Sequence, residues 1–112
     1  MRFDIMTLFP QLVDTVLSES IIGRARRAGF INVNTYNIRD YSQDKHHRVD
    51  DTPYGGGMGM LMMAPPVYDC YSAVIADTAP EAAEGERRRV IYMSPKGRVL
   101  TQKRAAELAA DY

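Results

Sequence analysis

The chain has 112 residues, of which 46% are hydrophobic and 25% are charged, and its 14 basic and 14 acidic residues give no net charge. This length and composition are typical of one globular domain and exclude a disordered, collagen-like or disulfide-rich protein. The single cysteine, Cys70, excludes an internal disulfide. The N-terminus does not resemble a secretory signal, and no apolar run approaches the roughly 20 residues that cross a bilayer. We therefore expect a cytoplasmic protein with no membrane segment.

The first part of the chain alternates between strand and helix patterns. Arg2 to Leu8 is a short run rich in apolar residues, which predicts a strand. Pro10 suits the first turn of a helix, and the apolar residues of PQLVDTVL follow at helical spacing, which predicts one buried stripe. A second short helix is predicted to end at Gly29, before the β-rich segment FINVNTYNI. This β-α-β order favours an α/β fold with a mainly parallel sheet flanked by helices.

The middle of the chain predicts a loop followed by a helix. From Arg39 to Met58 the residues are largely polar, charged or glycine and show no period, which is typical of a long loop. Pro65 and Pro66 then open a helix whose apolar stripe includes Cys70. No basic residue lies near that thiol in sequence, so we expect it to be a core residue rather than a reactive one. An acidic, alanine-rich surface connection is predicted over residues 77–88.

The last part of the chain predicts a buried strand and a final helix. Arg89 to Met93 (RVIYM) is an apolar run of the kind found in central parallel strands. SPKGR is predicted to turn the chain out of this strand, and Thr101 is placed to cap the last helix. Because an alternating α/β chain that finishes on a helix should return to a further strand, we expect the domain to be cut short at Tyr112.

Basic residues form three short clusters, GRARR (Arg24, Arg26, Arg27), KHHR (Lys45 to Arg48) and RRR (Arg87 to Arg89). The simplest interpretation is solvated surface. If the fold brings the clusters together, they would form a footprint for a polyanion such as nucleic acid.

The segment VDDTPYGGGMGMLMM, Val49 to Met63, concentrates two carboxylates, an aromatic ring and four glycines. Its glycines do not match the dinucleotide fingerprint, because Met60 stands where glycine or alanine is required, and no Gly-Lys-Ser/Thr follows as in a P-loop. A turn with left-handed glycines is one interpretation. A metal site is another, although adjacent histidines lack a known metal-motif spacing; its ligands would be His46, His47, Asp50 and Asp51.

A third interpretation of this segment is recognition of a nucleobase, because glycines let a flat ligand approach the backbone. Asp50 or Asp51 can accept paired hydrogen bonds from the N1–H and the exocyclic amine of guanine. Tyr54 or His46 can stack on a base, and Arg48 can contact a phosphate. Together these groups suit guanine in RNA.

Several segments resemble one family over essentially the whole chain: DIMTLFP at the start, IIGRARRAGFINVNTYNIRDYSQDKHHRVDDTPYGGGMGMLM in the middle and VIYMSPKGR near the end. RDYSQDKHHRVDDTPYGGGMGM is the most specific of these. The family is the bacterial tRNA (guanine-N1)-methyltransferases, which modify the guanosine immediately 3′ of the anticodon. Met58 departs from the family pattern, since many relatives have proline or alanine there.

The resemblance implies an S-adenosylmethionine-dependent enzyme with a knotted, SPOUT-type α/β fold that acts as a homodimer. It implies that residues 1–112 are the N-terminal part of the knotted methyltransferase domain and stop before the knot is complete. The methyl donor is expected against Tyr92, Met93, Ser94 and Pro95. The tRNA anticodon region is expected against loop 39–58 and its flank, with contacts from His46, Arg48, Asp50, Asp51, Tyr54, Gly55, Gly56, Gly57 and Gly59.

The resemblance also implies that the general-base aspartate lies beyond Tyr112. We therefore expect no catalytic residue and no metal ligand in this chain, and expect the chain alone to be inactive. Two alternatives stay open: a non-enzymatic RNA-binding module that uses the same surface, and a metal-dependent phosphoesterase that uses the histidines and acids named above. Donor binding separates the first from a methyltransferase, and metal content separates the second.

Overall fold

The computed structural model describes residues 1–81 and 87–111, which fall into two compact units. Unit 1 is Met1–Pro80 and unit 2 is Glu81–Tyr112. The strands of the described chain all lie in unit 1, and the described part of unit 2 contains one α-helix. None of the helices described is both long and apolar enough to span a membrane.

The first half of unit 1 is a β-α-α-β segment. It consists of β1 (Arg2–Thr7), α1 (Pro10–Leu17), α2 (Ser20–Arg27) and β2 (Asn32–Asn37). The two strands pair in parallel and in register along their whole length. Parallel neighbours need a crossover connection, which α1 and α2 provide. The predicted parallel sheet with flanking helices is confirmed for this part of the chain.

Local rules set the ends of α1 and α2. Pro10 occupies the first turn of α1, where its missing amide hydrogen has no helical partner to lose. Gly29 follows α2 with a φ of 79°, and the amide of Phe30 then donates to the carbonyl of Ala25 at 3.0 Å. Glycine adopts this left-handed backbone without steric cost, so the predicted helix stop is confirmed.

The second half of unit 1 surrounds the predicted loop. A 3-10 turn covers Ile38–Tyr41, two short strands follow as β3 (Asp50–Asp51) and β4 (Leu61–Met62), and α3 covers Ala64–Thr78. The prediction of an uninterrupted loop from Arg39 to Met58 is therefore wrong at its start and in its middle. A two-residue strand is too short to show the period of two by which strands are recognised.

The core of unit 1 joins these elements. Its buried residues are Ile38, Val49 and Cys70, and the last two are 0% exposed. Partly buried side chains from β1, β2, the 3-10 turn and α3 pack against them: Met6, Leu8, Tyr36, Tyr41 and Val67. The prediction that Cys70 is a core residue is confirmed. Val49 was not predicted to be buried, since it is a single apolar residue in a polar segment.

A polar network joins the two parallel strands. The Asp4 carboxylate accepts hydrogen bonds from the Arg2 guanidinium at 3.0 Å, the Asn34 amide at 3.1 Å and the Tyr36 hydroxyl at 3.4 Å. Burial raises the pKa of Tyr36, and the negative charge of Asp4 raises it further. The phenol therefore remains a hydrogen-bond donor at neutral pH, and the strands are held by side chains as well as by their backbones.

The connection between the units differs from the prediction at its start. Residues 77–78 still belong to α3, and Thr78 is buried, with its hydroxyl donating to the carbonyl of Val74 at 2.9 Å. A 3-10 turn follows at Ala79–Glu81. The rest of the predicted surface connection lies in part outside the described residues, which resume at Arg87.

Unit 2 contains a turn and one helix in its described part. The amide of Gly97 donates to the carbonyl of Ser94 at 3.0 Å, which confirms the predicted turn in SPKGR. Helix α4 covers Gln102–Asp111. The Thr101 hydroxyl accepts a hydrogen bond from the amide of Arg104 at 3.2 Å, so the predicted cap is confirmed.

The predicted buried strand at Arg89–Met93 is wrong. The segment has no strand pairing, and Val90, Ile91, Tyr92 and Met93 are between 61% and 88% exposed. A strand needs a neighbour that completes its backbone hydrogen bonds. The described part of unit 2 contains no strand that could be this neighbour. The apolar composition of the run indicates a preference for burial, but it cannot show whether a pairing strand is present.

We expect Val49→Ala to lower the free energy of unfolding by about 2 kcal/mol, because it removes two methyl groups from a closed core. Urea denaturation followed by circular dichroism measures the loss. Val99 is 83% exposed, so Val99→Ala is the matched control and should change stability by less than about 0.5 kcal/mol. Equal effects of the two substitutions would show that Val49 is not a core residue in solution.

We expect Cys70 to react slowly with thiol reagents while the chain is folded. Burial raises the pKa of the Cys70 thiol to about 11, and the thiolate is the reactive form. Labelling in mildly alkaline buffer should be at least about 100-fold slower than in urea, because a smaller thiolate fraction combines with restricted access. Equal labelling rates in buffer and in urea would contradict the buried position.

Candidate functional site

The two acids and the glycines lie on one short hairpin, residues 50–62, which we call the acid–glycine hairpin. Asp50 pairs with Met62 and Asp51 with Leu61 in antiparallel register. The amide of Met63 also donates to the carbonyl of Val49 at 2.7 Å, which extends the pairing to the buried residue. The base of the hairpin is therefore attached to the core, and residues 52–60 form its tip.

The two carboxylates of the hairpin have different surroundings. Successive residues of a strand direct their side chains to opposite faces. Asp50 is half-buried, whereas Asp51 is exposed and accepts a hydrogen bond from the amide of Thr52 at 2.7 Å. One guanine edge can therefore meet one of these carboxylates, but not both side by side.

The tip of the hairpin exposes bare backbone. Its glycines have φ values of 80°, 79°, 108° and 94°, at Gly55, Gly56, Gly57 and Gly59. A Cβ atom at any of them would meet nothing within 4 Å. Side chains are therefore disfavoured there by the left-handed backbone and not by crowding. The open space leaves room for a flat ligand to reach the peptide groups.

Large side chains also extend from the tip into solvent. Tyr54 is 95% exposed, and Met58 and Met60 are 101% and 61% exposed. An exposed ring beside open backbone can stack on a base while peptide groups contact its edge. The predicted role of Tyr54 is compatible with this position.

Immediately before Val49, residues 42–48 form a tight turn around one carboxylate, which we call the Asp44 turn. Asp44 accepts hydrogen bonds from the amide of His46 at 2.7 Å, the amide of Arg48 at 3.3 Å and the guanidinium of Arg48 at 3.3 Å. The first of these bonds lowers the pKa of Asp44 most, and the two contacts from Arg48 add to it.

The lowered pKa of Asp44 sets the pH range in which its carboxylate stabilises the turn. The carboxylate that stabilises the folded turn is present above the pKa of an unfolded aspartate. Its contribution is lost as the pH falls through the lower pKa of the folded state. The turn is therefore fully held at neutral pH and loosens only in acid.

The predicted phosphate-binding side chain, Arg48, is already in this turn. Its ion pair with Asp44 leaves the Arg48 side chain 64% exposed, so it remains accessible to a phosphate. Lys45, His46 and His47 are exposed as well. The structure therefore groups the KHHR cluster on one turn, next in sequence to the hairpin that holds the acids.

The GRARR cluster has a structural role at the corner between α1 and α2. The Arg26 guanidinium pairs with Asp14 at 2.8 Å, and that of Arg27 donates to the carbonyl of Ser18 at 3.2 Å. Ser18, Gly23, Arg26 and Arg27 line a shallow hollow of about 290 Å³ at this corner. Part of the positive charge in this cluster is thus neutralised by α1. Its convergence with the other basic clusters stays a prediction.

The residues predicted to bind the methyl donor lie in unit 2: Tyr92 and Met93 end the apolar run, and Ser94 and Pro95 begin the turn after it. Tyr92 and Met93 are 88% and 84% exposed, and the hydroxyl of Ser94 accepts a hydrogen bond from the amide of Lys96 at 3.2 Å. The expected position of these residues at the end of a buried strand is wrong, because that strand is not formed.

The histidines and acids do not form a metal site. Across residues 1–81 and 87–111, no three His, Cys, Asp or Glu side chains lie together in a way that could hold an ion. The alternative built from His46, His47, Asp50 and Asp51 therefore lacks the cluster that it requires.

Two residues that shape this region were missed in the sequence. Val49 anchors the hairpin, and Asp44 organises the turn before it. A lone valine among polar residues gives no periodic signal. The spacing of Asp44 to His46 is typical of a side chain that bonds the amide two residues on, and this pattern was available in the sequence.

Comparisons of the whole sequence with known proteins found a matching family model and similar curated proteins. The family model described as tRNA (Guanine-1)-methyltransferase TrmD matches residues 1–112. A tRNA (guanine-N(1)-)-methyltransferase of Ruminiclostridium cellulolyticum is 55% identical over 109 residues, covering 97% of this chain and 44% of the relative. That of Lachnospira eligens is 49% identical over 111 residues, covering 99% of this chain and 44% of the relative. The chain thus spans less than half the length of these curated relatives.

A solved structure shows the same likeness in three dimensions. The crystal structure of tRNA (m1G37) methyltransferase from Aquifex aeolicus is 30% identical to this chain, with a TM-score of 0.63. The match covers 69% of this chain and 34% of the other, and it confirms the predicted α/β fold class. Because the family model matches the sequence from its first residue to its last, this chain belongs to the tRNA (guanine-1)-methyltransferase family.

Proposed function

We propose that this chain forms the substrate-binding part of an S-adenosylmethionine-dependent enzyme that methylates N1 of the guanosine immediately 3′ of the anticodon in tRNA. The observation that carries the proposal is the acid–glycine hairpin, where carboxylates at the base accompany exposed, left-handed backbone at the tip. The curated relatives are named tRNA (guanine-N(1)-)-methyltransferases, which supports methylation of guanine in tRNA.

The hairpin supports guanine in particular. One edge of guanine carries the exocyclic amine beside N1–H, and a hairpin carboxylate can accept a hydrogen bond from the amine while the N1 proton is left to the general base. The exposed ring of Tyr54 offers a stacking surface, and the glycine backbone of residues 55–59 gives access to the base. His46 is the alternative stacking side chain, and Arg48 supplies a contact to a phosphate. The chain's contribution to the reaction is thus to bind and orient the acceptor base.

The methyl donor requires more than this chain provides. When bound, S-adenosylmethionine supplies a methyl group on a sulfonium that is a good leaving group. Donor pockets enclose most of the ligand surface, whereas Tyr92 and Met93 are almost fully exposed. The described residues of unit 2 therefore do not fit the donor by themselves, and we assign them no step of the reaction.

The complete enzyme would add the missing parts. We infer that residues 1–112 are the N-terminal part of a knotted methyltransferase domain, and that the aspartate accepting the N1 proton lies outside them in sequence. In this proposal loop 39–58 faces the tRNA, Tyr92 to Pro95 form one wall of the donor site, and two copies of the complete cytoplasmic enzyme assemble as a homodimer.

We expect one of Asp50→Asn and Asp51→Asn, and not the other, to weaken binding of an RNA hairpin that carries the tRNA anticodon stem-loop. The loss should be about tenfold, as expected for a hydrogen bond to a charged group. Fluorescence anisotropy measures the affinity. Glu107→Gln is the matched control, because Glu107 is an exposed carboxylate in unit 2 that pairs with Arg104 at 3.0 Å. Equal losses in all three variants would contradict a local role of the hairpin acids.

Inosine tests the proposed contact with the exocyclic amine, because its base lacks this group and is otherwise the same as guanine. Replacing the target guanosine by inosine should weaken binding by the unmodified chain. In one aspartate variant, and only one, the replacement should have no further effect, because the two carboxylates lie on opposite faces of the strand. If the inosine replacement has the same effect on RNA affinity in both aspartate variants, the two carboxylates do not contact the base from opposite faces.

The chain alone should bind S-adenosylmethionine at least about 100-fold more weakly than the complete enzyme of Ruminiclostridium cellulolyticum, since affinity depends on enclosed contacts that exceed the cost of association. Calorimetry measures donor binding, and transfer of labelled methyl groups to tRNA measures activity. Tight donor binding and methylation by the 112-residue chain would place the base within these residues. RNA binding by the chain, with no methylation by the complete relative, would instead support the non-enzymatic alternative.

A further inference from the structure

Asp44 is an acid that directly precedes the basic cluster Lys45 to Arg48 and bonds to residues within it. Its carboxylate accepts three hydrogen bonds, two of them from the backbone of His46 and Arg48. A negative charge at this point opposes the approach of RNA phosphates. Its contribution to RNA binding must therefore come from geometry and not from attraction.

Two further contacts hold the Asp44 turn. The Ser42 hydroxyl donates to the carbonyl of Arg48 and accepts a hydrogen bond from the amide of Asp44 at 3.3 Å. The Arg39 guanidinium donates to the carbonyl of His47 at 3.4 Å. The turn is thus closed by side chains before and within it, and it leads directly into the buried Val49.

The backbone of the turn is one that an L-residue rarely adopts. His47 has a φ of 53°, in the left-handed region, which costs roughly 1 kcal/mol for a residue with a side chain. The amide of His47 donates to the carbonyl of Asp44 at 3.0 Å in this conformation. The hydrogen bonds that Asp44 accepts offset this cost. Without them the left-handed conformation of His47 would be less stable.

We propose that Asp44 is a positioning residue for RNA binding: it fixes the turn that presents Lys45, His46 and Arg48 beside the acid–glycine hairpin. The inference rests on the proposed function and adds to it a residue that does not itself touch RNA. Burial of Val49 and pairing of β3 with β4 hold the hairpin independently, so a loosened turn changes the placement of the basic side chains and not that of the hairpin.

Asp44→Asn separates positioning from charge, because the two effects have opposite signs. Removing a negative charge from a basic turn strengthens RNA binding if attraction alone matters. Loss of the fixed turn weakens it. We expect the anticodon hairpin RNA to bind Asp44→Asn about tenfold more weakly, because a neutral amide oxygen accepts from the two backbone amides less strongly and the amide nitrogen cannot accept from the Arg48 guanidinium. Asp14→Asn is the matched control: Asp14 also pairs with an arginine, at the α1–α2 corner, and its variant should bind equally or more tightly.

Ser42→Ala gives a second variant that leaves the charge unchanged. It removes both contacts of the Ser42 hydroxyl and should weaken RNA binding in the same direction as Asp44→Asn. Amide hydrogen exchange at His46 and Arg48 should become faster in both variants, while urea denaturation shows that each remains folded. These combined changes are the result expected for a positioning role.

The outcomes distinguish this inference from the function on which it rests. Unchanged or tighter RNA binding by Asp44→Asn, with the unmodified chain binding normally, would overturn the positioning role and leave the proposed function intact. Faster amide exchange without any loss of RNA affinity in either variant would overturn it as well. If the unmodified chain does not bind the hairpin RNA, the proposed function fails and the positioning role fails with it.

Discussion

Burial of Val49 connects the polar half of this protein to its core. The side chain is 0% exposed and packs with Ile38 and Cys70, although its sequence neighbours are charged. Its carbonyl receives the amide of Met63, so the same residue closes the base of the acid–glycine hairpin. A segment with few other apolar residues is thus held at one point by the hydrophobic effect, and the charged residues before and after it take their positions from that point.

The hairpin and the Asp44 turn use this anchor differently. Backbone pairing at β3 and β4 places Asp50 and Asp51 on opposite faces, so adjacency in sequence does not mean adjacency toward a ligand. The turn is held mainly by side chains, with Asp44 accepting from two amides. The acid–glycine hairpin places its two acids on opposite faces, whereas the Asp44 turn groups basic side chains. The contrast suits a ligand that presents a base edge at one place and phosphates at another.

Sequence reasoning was most reliable where the chain makes its own periodic or local signals. The helical spacing of α1, the prolines that open α3 and the cap at Thr101 all depend on nearby residues, and each was predicted. The predicted burial of the apolar stripe of α1 is wrong, since Leu12 and Val16 are 64% and 61% exposed. Sequence reasoning failed where a partner decides the outcome. Val90 to Met93 have the composition of a buried strand but no strand beside them, and β3 forms only because Leu61 and Met62 return to it. The family resemblance predicts that the loop is on the substrate side, but spacing alone could not show that its two acids lie on opposite faces of a strand.

The small core also ties the folding of unit 1 to its surface. Ile38 and Cys70 belong to elements far from the hairpin tip in sequence, yet they share one cluster with Val49. Anything that binds the ordered hairpin or turn, and not the unfolded chain, must therefore stabilise this core as well. By the same linkage, a change deep in α3 that loosens the contact with Val49 can lower affinity for a ligand it never touches. Recognition and folding in this protein are thermodynamically coupled through one side chain.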